Sequence, residues 1–265
     1  MQLIDIGANL TSRRFHKDLP QVLERARQAG VVAQWVTGTS IAASQDAIAL
    51  ADSHPELYAT VGIHPHEASS FNAAALTQLA DMAAHAKVVA IGETGLDFNR
   101  DFSPRPMQEK SFAEHLQLAA RLNKPVFLHQ RDAHERFLPL LKEQRDQLAR
   151  AVVHCFTGNK RELFDYLDLD CHIGITGWVC DSRRGADLRE LVAHIPADRL
   201  LIETDAPYLL PHNLDITPTE KGRNEPAFLP FVLKELARCR QQNEAELAAL
   251  TYANSQAFMS TSSAA

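Results

Sequence analysis

Eight short apolar runs, most of them handing over to a longer stretch of helical period, limit what this chain can fold into more than any other feature. The runs are Leu3–Gly7, Ala33–Thr39, Leu57–His64, Val88–Glu93, Pro125–His129, Ala151–Phe156, His172–Thr176 and Leu200–Asp205. Apolar runs of this length suit parallel strands buried on both faces. Helices are expected at Asp18–Ala29, Ser40–Ser53, Ala73–Ala86, Met107–Asn123, Ala133–Ala149, Lys160–Leu167 and Asp187–Ile195. Such alternation over 265 residues predicts an α/β fold, a (β/α)8 barrel, which commonly takes roughly 250 residues. Residues 1–259 read as one barrel domain closed by two last helices, Ala227–Arg240 and Glu244–Phe258, and 260–265 as a small-residue tail that frays.

A barrel gathers the C-terminal ends of its strands at one mouth, where its chemistry sits. The last polar residues of the eight runs are Asp5, Thr37, His64, Glu93, His129, His154, Thr176 and Asp205. Six of these eight are side chains that bind metals, so a set scattered along the sequence becomes one cluster of carboxylates and imidazoles. Strand alternation tests the assignment: Phe127 should face inward with His129, Val152 with His154, and Val89 and Ile91 with Glu93. The competing reading of His129 and His154 is a pair of satisfied core histidines.

The same alternation sends both Glu203 and Asp205 inward, where two carboxylates repel. Either Glu203 pairs with an arginine, Arg223 being the candidate, or a bulge turns it away. His64 and His66, stiffened by Pro65, are placed to touch one substrate oxygen together, although His66 also reads as a solvated loop residue. Cys155 is expected on the far side of its strand, packed under a helix. The histidines at 16, 54, 85, 115 and 194 read as structural. Pro207–Pro226 is a long, proline-rich connection across the mouth, a place where long loops are usually functional.

Composition excludes several classes. With 27 Lys and Arg against 33 Asp and Glu, a net charge of -6 leaves no basic stripe for a duplex, so phosphate must be met locally. The four cysteines form no CxxC pair and read as reduced thiols of a cytoplasmic protein. No export signal and no bilayer-length apolar stretch is present. Walker, GxGxxG and GxSxG elements are missing. A Glu/His/His/Asp set suits Mg²⁺, Mn²⁺ or Zn²⁺ holding an activated water, hence metal-assisted hydrolysis.

Several longer motifs then carry a resemblance. Ile91–Phe98 (IGETGLDF), Pro125–Asp132 (PVFLHQRD), His154–Gly158 (HCFTG), Glu203–Leu209 (ETDAPYL), Arg223–Pro226 (RNEP) and Gly62–His66 (GIHPH) resemble the TatD family of metal-dependent deoxyribonucleases over nearly the whole chain. The resemblance implies a TIM barrel of the metal-dependent hydrolase superfamily. It implies Glu93 bridging metals, His129 and His154 as ligands of one ion, and Asp205 near the other. It also implies phosphodiester hydrolysis, exonucleolytic from the 3′ end, with a role in DNA repair or degradation.

One departure stands out: the family's first strand ends in Asp-x-His-x-His, whereas these positions hold Asp5, Gly7 and Asn9. Asp5 and Asn9 are therefore weak or lost metal positions. A thinned second site favours a hard ion, Mg²⁺, with Asp205 acting chiefly as general base and Glu93 as its catalytic companion. The expected partner is single-stranded DNA, and RNA as a second substrate, bound by His64, His66, Arg131 and Arg223 to a monomeric enzyme with no membrane contact. The competing functions are an amidohydrolase acting on a small amide or lactone, and a non-catalytic barrel that binds metal or nucleic acid.

Overall fold

A computed structural model describes residues 1–260, so the expected tail lies, beyond 260, outside the described residues. Eight strands form one parallel sheet in sequence order: β1 (Leu3–Ala8), β2 (Val31–Val36), β3 (Leu57–Val61), β4 (Val88–Asp97), β5 (Val126–Arg131), β6 (Ala151–Val153), β7 (His172–Ile175) and β8 (Leu200–Ile202). Around them run α1 (Leu19–Gln28), α2 (Ile41–Ser53), α3 (Ala73–Ala83), α4 (Arg105–Leu122), α5 (His134–Gln144), α6 (Lys160–Asp168) and α7 (Ala186–Leu191). The last two helices, α8 (Leu229–Arg240) and α9 (Glu244–Met259), follow the long connection. This is the expected barrel.

The core divides as strand alternation requires. Ile4, Ile6, Trp35, Val89, Phe127, Val152 and Leu201 fill the interior, and Phe258 of α9 stops it at the end opposite the mouth, 5.6 Å from the Trp35 ring. Val126, Leu128 and Val153 point the other way, into the cluster beneath the helices. Ile91 differs from expectation: it belongs to that outer cluster. The register of β4 slips on both flanks of the run, and Gly92, at φ +142°, carries the second slip. A Cβ there would collide with the Phe127 carbonyl, so only glycine permits it.

The strands also end differently from the apolar runs. β4 continues four residues past Glu93 to Asp97, whereas β6 and β8 leave the ladder before His154 and Asp205. Positive φ values at Cys155 (46°) and Asp205 (54°) turn the chain there. His154 and Asp205 therefore sit on turns just above the barrel rim, where the backbone can aim them independently of the pleat, whereas Glu93 and His129 stay within β4 and β5.

Closure between β8 and β1 is made mostly by hydrogen bonds beyond the strands proper. Asp205 N–H donates to the Gly7 carbonyl (2.8 Å) and Asn9 N–H to the Ala206 carbonyl (2.7 Å). Asp5 fastens the same seam: its carboxylate accepts from Thr204 N–H (2.9 Å), Thr204 Oγ1 (2.5 Å) and Gly7 N–H (3.2 Å). With its oxygens so engaged and fully buried, Asp5 fastens the barrel. Arg223 likewise leaves the mouth. Buried to 2% exposure, it binds Asp18 (2.7 Å), Glu225 (2.8 Å) and Glu220 (3.2 Å), caps the Phe15 ring and ties the 207–226 connection to α1.

Two measurements test these fasteners. Arg223→Met should cost about 3–5 kcal/mol in urea unfolding, because it leaves Glu225 buried with less compensation; a loss below about 1 kcal/mol would refute the role. Burial pushes the Asp5 carboxyl up to about 7, so between pH 4 and 7 the folded state binds more protons than the unfolded chain. Stability attributable to Asp5 therefore falls as pH rises through that window. The stability of Asp5→Asn relative to wild type should climb from pH 4 to pH 7; a flat difference contradicts the assignment.

Candidate active site

The mouth holds a cavity of about 770 Å³ whose floor is a carboxylate surrounded by imidazoles. Glu93 Oε1 lies 2.8 Å from His154 Nε2, 2.9 Å from His129 Nδ1 and 3.3 Å from His64 Nε2. Three histidines, one in β5 and two just beyond β3 and β6, thus converge on Glu93 next to the slip in β4. Burial alone would raise Glu93, but the His64 and His154 imidazoles, with hydrogen bonds from His129 and His154, hold it well below the usual carboxylate range. His129 and His154 are raised in turn, against burial, by their carboxylate neighbours.

Each histidine is oriented by a second contact, which separates those able to hold a cation. His154 Nδ1 meets Glu203 Oε2 at 3.2 Å, and His129 Nε2 lies 3.4 Å from Asp97 Oδ2. With a proton directed at each of these carboxylates, His154 Nε2 and His129 Nδ1 would exchange their hydrogen bonds to Glu93 for lone pairs on a cation, the carboxylate–histidine arrangement of metal centres. His64, Glu93 and His129 also bring three ligand atoms within 4.8 Å of one another. But His64 Nδ1 accepts the His66 N–H (3.0 Å), which puts its own proton on Nε2, facing Glu93. A neutral His64 is a donor to the site, and burial lowers it to about 4. Around a cation of tetrahedral radius ~2.1 Å, ligand atoms stand ~3.4 Å apart, so the observed spacings need to open only slightly.

Glu203 resolves the crowding expected at β8. It pairs with His154 and with the Cys155 N–H, not with Arg223, and its two oxygens lie over Gly7 and Gly174. A Cβ on Gly7 would run into Glu203 Oε2, and one on Gly174 would sit 2.6 Å from Oε1. Glycine at 7 therefore makes room for the carboxylate that orients His154. Asn9 donates its amide to Asp205 Oδ1 (3.0 Å) and so positions that carboxylate. Asp205 is pushed up to about 7, by burial first and then by Glu93 and Glu203.

Of the remaining residues read from sequence, His66 closes on Asp97 Oδ2 (2.7 Å) and Arg131 lines the cavity, whereas Arg223 does not reach it. Cys155 also departs from expectation: its positive φ swings the side chain into the cavity wall, 3.7 Å from Thr176 Oγ1. Burial pushes its thiol well up, so it is no nucleophile. His115 is structural as read, its Nε2 taking the Ile63 N–H (3.1 Å) just before His64. Asp97 was missed because β4 was ended at Glu93; four residues on, it shares that face. Phe102, Trp178 and Tyr208 on the rim carried no periodic signal.

Comparisons with known proteins match the chain over nearly its whole length. A family model described as TatD related DNase matches residues 4–260. A relative named 3'-5' ssDNA/RNA exonuclease TatD from Pectobacterium atrosepticum is 52% identical over 253 residues, 95% of this chain and 97% of the relative. One of the same name from Escherichia fergusonii is 51% identical over 252 residues, 95% and 96% of the two chains. Among solved structures, a TatD homologue from Escherichia coli superposes with a TM-score of 0.88 at 31% identity, covering 97% of each chain.

The site predicts the outcome of putting imidazole back on β1. Gly7→His should displace Glu203 and lower stability and metal affinity together, with calorimetry showing no additional ion bound. A second tight ion in the variant would mean that Glu203 yields its place without cost.

Proposed function

We propose that this chain, which belongs to the TatD-related DNase family, is a divalent-metal-dependent exonuclease that removes nucleotides from the 3′ ends of single-stranded DNA and RNA. The observation that carries the reading is the convergence of His129 Nδ1 and His154 Nε2 on one oxygen of Glu93, each with its other nitrogen facing a carboxylate. Glu93, His129 and His154 would hold the cation, Mg²⁺ favoured, with Asp205 alongside. When bound, such an ion lowers the pKa of its water and offsets charge on the phosphate.

The chain's own groups supply the rest. Asp205, held by Asn9 and with a carboxyl near 7, accepts the proton of the attacking water. His64, its proton on Nε2, donates into the site. Asp97 steadies His66 and His129, and Arg131 on the rim meets the phosphate backbone. The amidohydrolase alternative has less support, since a small amide needs neither this arginine nor a cavity flanked by exposed Phe102 and Tyr208. A monomer acting in the cytoplasm in DNA repair or degradation accompanies the reading; no helix among the described residues is long and apolar enough to cross a membrane.

Digestion of 5′-labelled single-stranded DNA with Mg²⁺ should yield a ladder shortening from the 3′ end. EDTA or a blocked 3′ terminus should stop it, and Asp205→Asn should slow it by about 10²- to 10⁴-fold in kcat. Rapid cutting of a closed single-stranded circle would overturn the exonuclease reading.

A further inference from the structure

A second cavity, of about 640 Å³, adjoins the first and shares Gln130, Arg131, Thr157, Trp178 and Arg184 with it. It opens along the rim above β5, β6 and β7 and reaches Asn99, Lys160 and Asp187. Its boundary is a built platform. The Arg184 guanidinium lies 4.2 Å from the Trp178 ring centroid, held there by Asp181 at 2.8 Å, whose other oxygen accepts the Arg183 and Arg184 N–H groups. Thr176 Oγ1, just past β7, accepts the backbone N–H of Trp178 (3.3 Å) and fixes the main chain that carries the indole. Among the described residues, Arg131 and Lys160 form no ion pair; of the acids lining the cavity, Asp132 is engaged by the Asn99 amide and Glu162 by Asn159, while Asp187 and Glu190 lie at its far side without an ion pair.

Two cations outside any ion pair, Lys160 with its ammonium 5.9 Å from the Phe164 ring, beside an indole with a guanidinium over its ring are what an unpaired polynucleotide needs: charge for the backbone and a π-face for a base. An exonuclease must also lead the uncleaved strand away from its reaction centre, and this cavity is continuous with that centre. With a net charge of -6, the protein as a whole does not attract the strand, so local groups must. We infer that the second cavity is a nucleotide subsite for the strand on the 5′ side of the scissile bond, a base extending the Trp178–Arg184 stack and backbone phosphates meeting Arg131 and Lys160. The inference rests on the exonuclease reading above.

The test compares kcat/KM for a dinucleotide and a single-stranded 12-mer with the full-length protein and Mg²⁺. Wild type should prefer the 12-mer. Trp178→Ala should reduce that preference about tenfold through KM, in line with loss of one base–aromatic stack, and Trp178→Phe should restore most of it. Lys160→Gln should lower the salt dependence of KM for the 12-mer by about one phosphate contact. A length preference unchanged in Trp178→Ala, or equal losses on both substrates, would overturn the subsite. Should wild type degrade neither substrate, the nuclease reading itself fails and the subsite with it.

Discussion

Four carboxylates, those of Glu93, Asp97, Glu203 and Asp205, meet at one end of a barrel, and their mutual repulsion sets the terms for everything around them. Three of them are at most 5% exposed, where like charges interact through a poor dielectric. Imidazoles stand between them: His154 between Glu93 and Glu203, His129 between Glu93 and Asp97, His66 against Asp97. Asp205, with Asn9 as its hydrogen-bond donor, is raised to about 7. A site of this composition is prepared for added positive charge, which is why a divalent cation fits it.

The same electrostatics explain a feature that looks like a loss. Glycine at position 7 removes an imidazole from β1, yet its missing side chain is where Glu203 lies. The carboxylate there serves His154 from behind instead of a ligand serving the ion from the front. Closure of the barrel makes this possible, since Asp5 and Thr204 lock β1 against the turn after β8 and fix how far Glu203 and Asp205 reach across.

Outside this charged floor, the rim changes character. Arg131, Lys160 and Arg184, with Trp178, Phe102 and Tyr208, form a surface that suits stacked bases and phosphates while the molecule as a whole stays acidic. Recognition by a few local groups favours a flexible strand end over a stiff duplex, which would need a longer basic track.

Much of this was legible in the sequence, for local reasons. Eight apolar runs and the helical periods between them depend only on neighbouring residues, so the barrel and the convergence of Glu93, His129, His154 and Asp205 at its mouth could be read directly. Asp97 escaped because the apolar run stops before Glu93 while β4 runs on to Asp97, a continuation that depends on the pairing β5 offers from Leu128 to Arg131. Cys155 was misplaced because a positive φ breaks the alternation. Arg223 and Glu203 were paired wrongly because their partners, Asp18 and His154, lie 205 and 49 residues away. Sequence by itself determined that Glu93, His129, His154 and Asp205 reach the mouth; tertiary structure alone decided what else joins them and which of them share a proton, because that depends on ångström separations across a closed barrel and not on order along the chain.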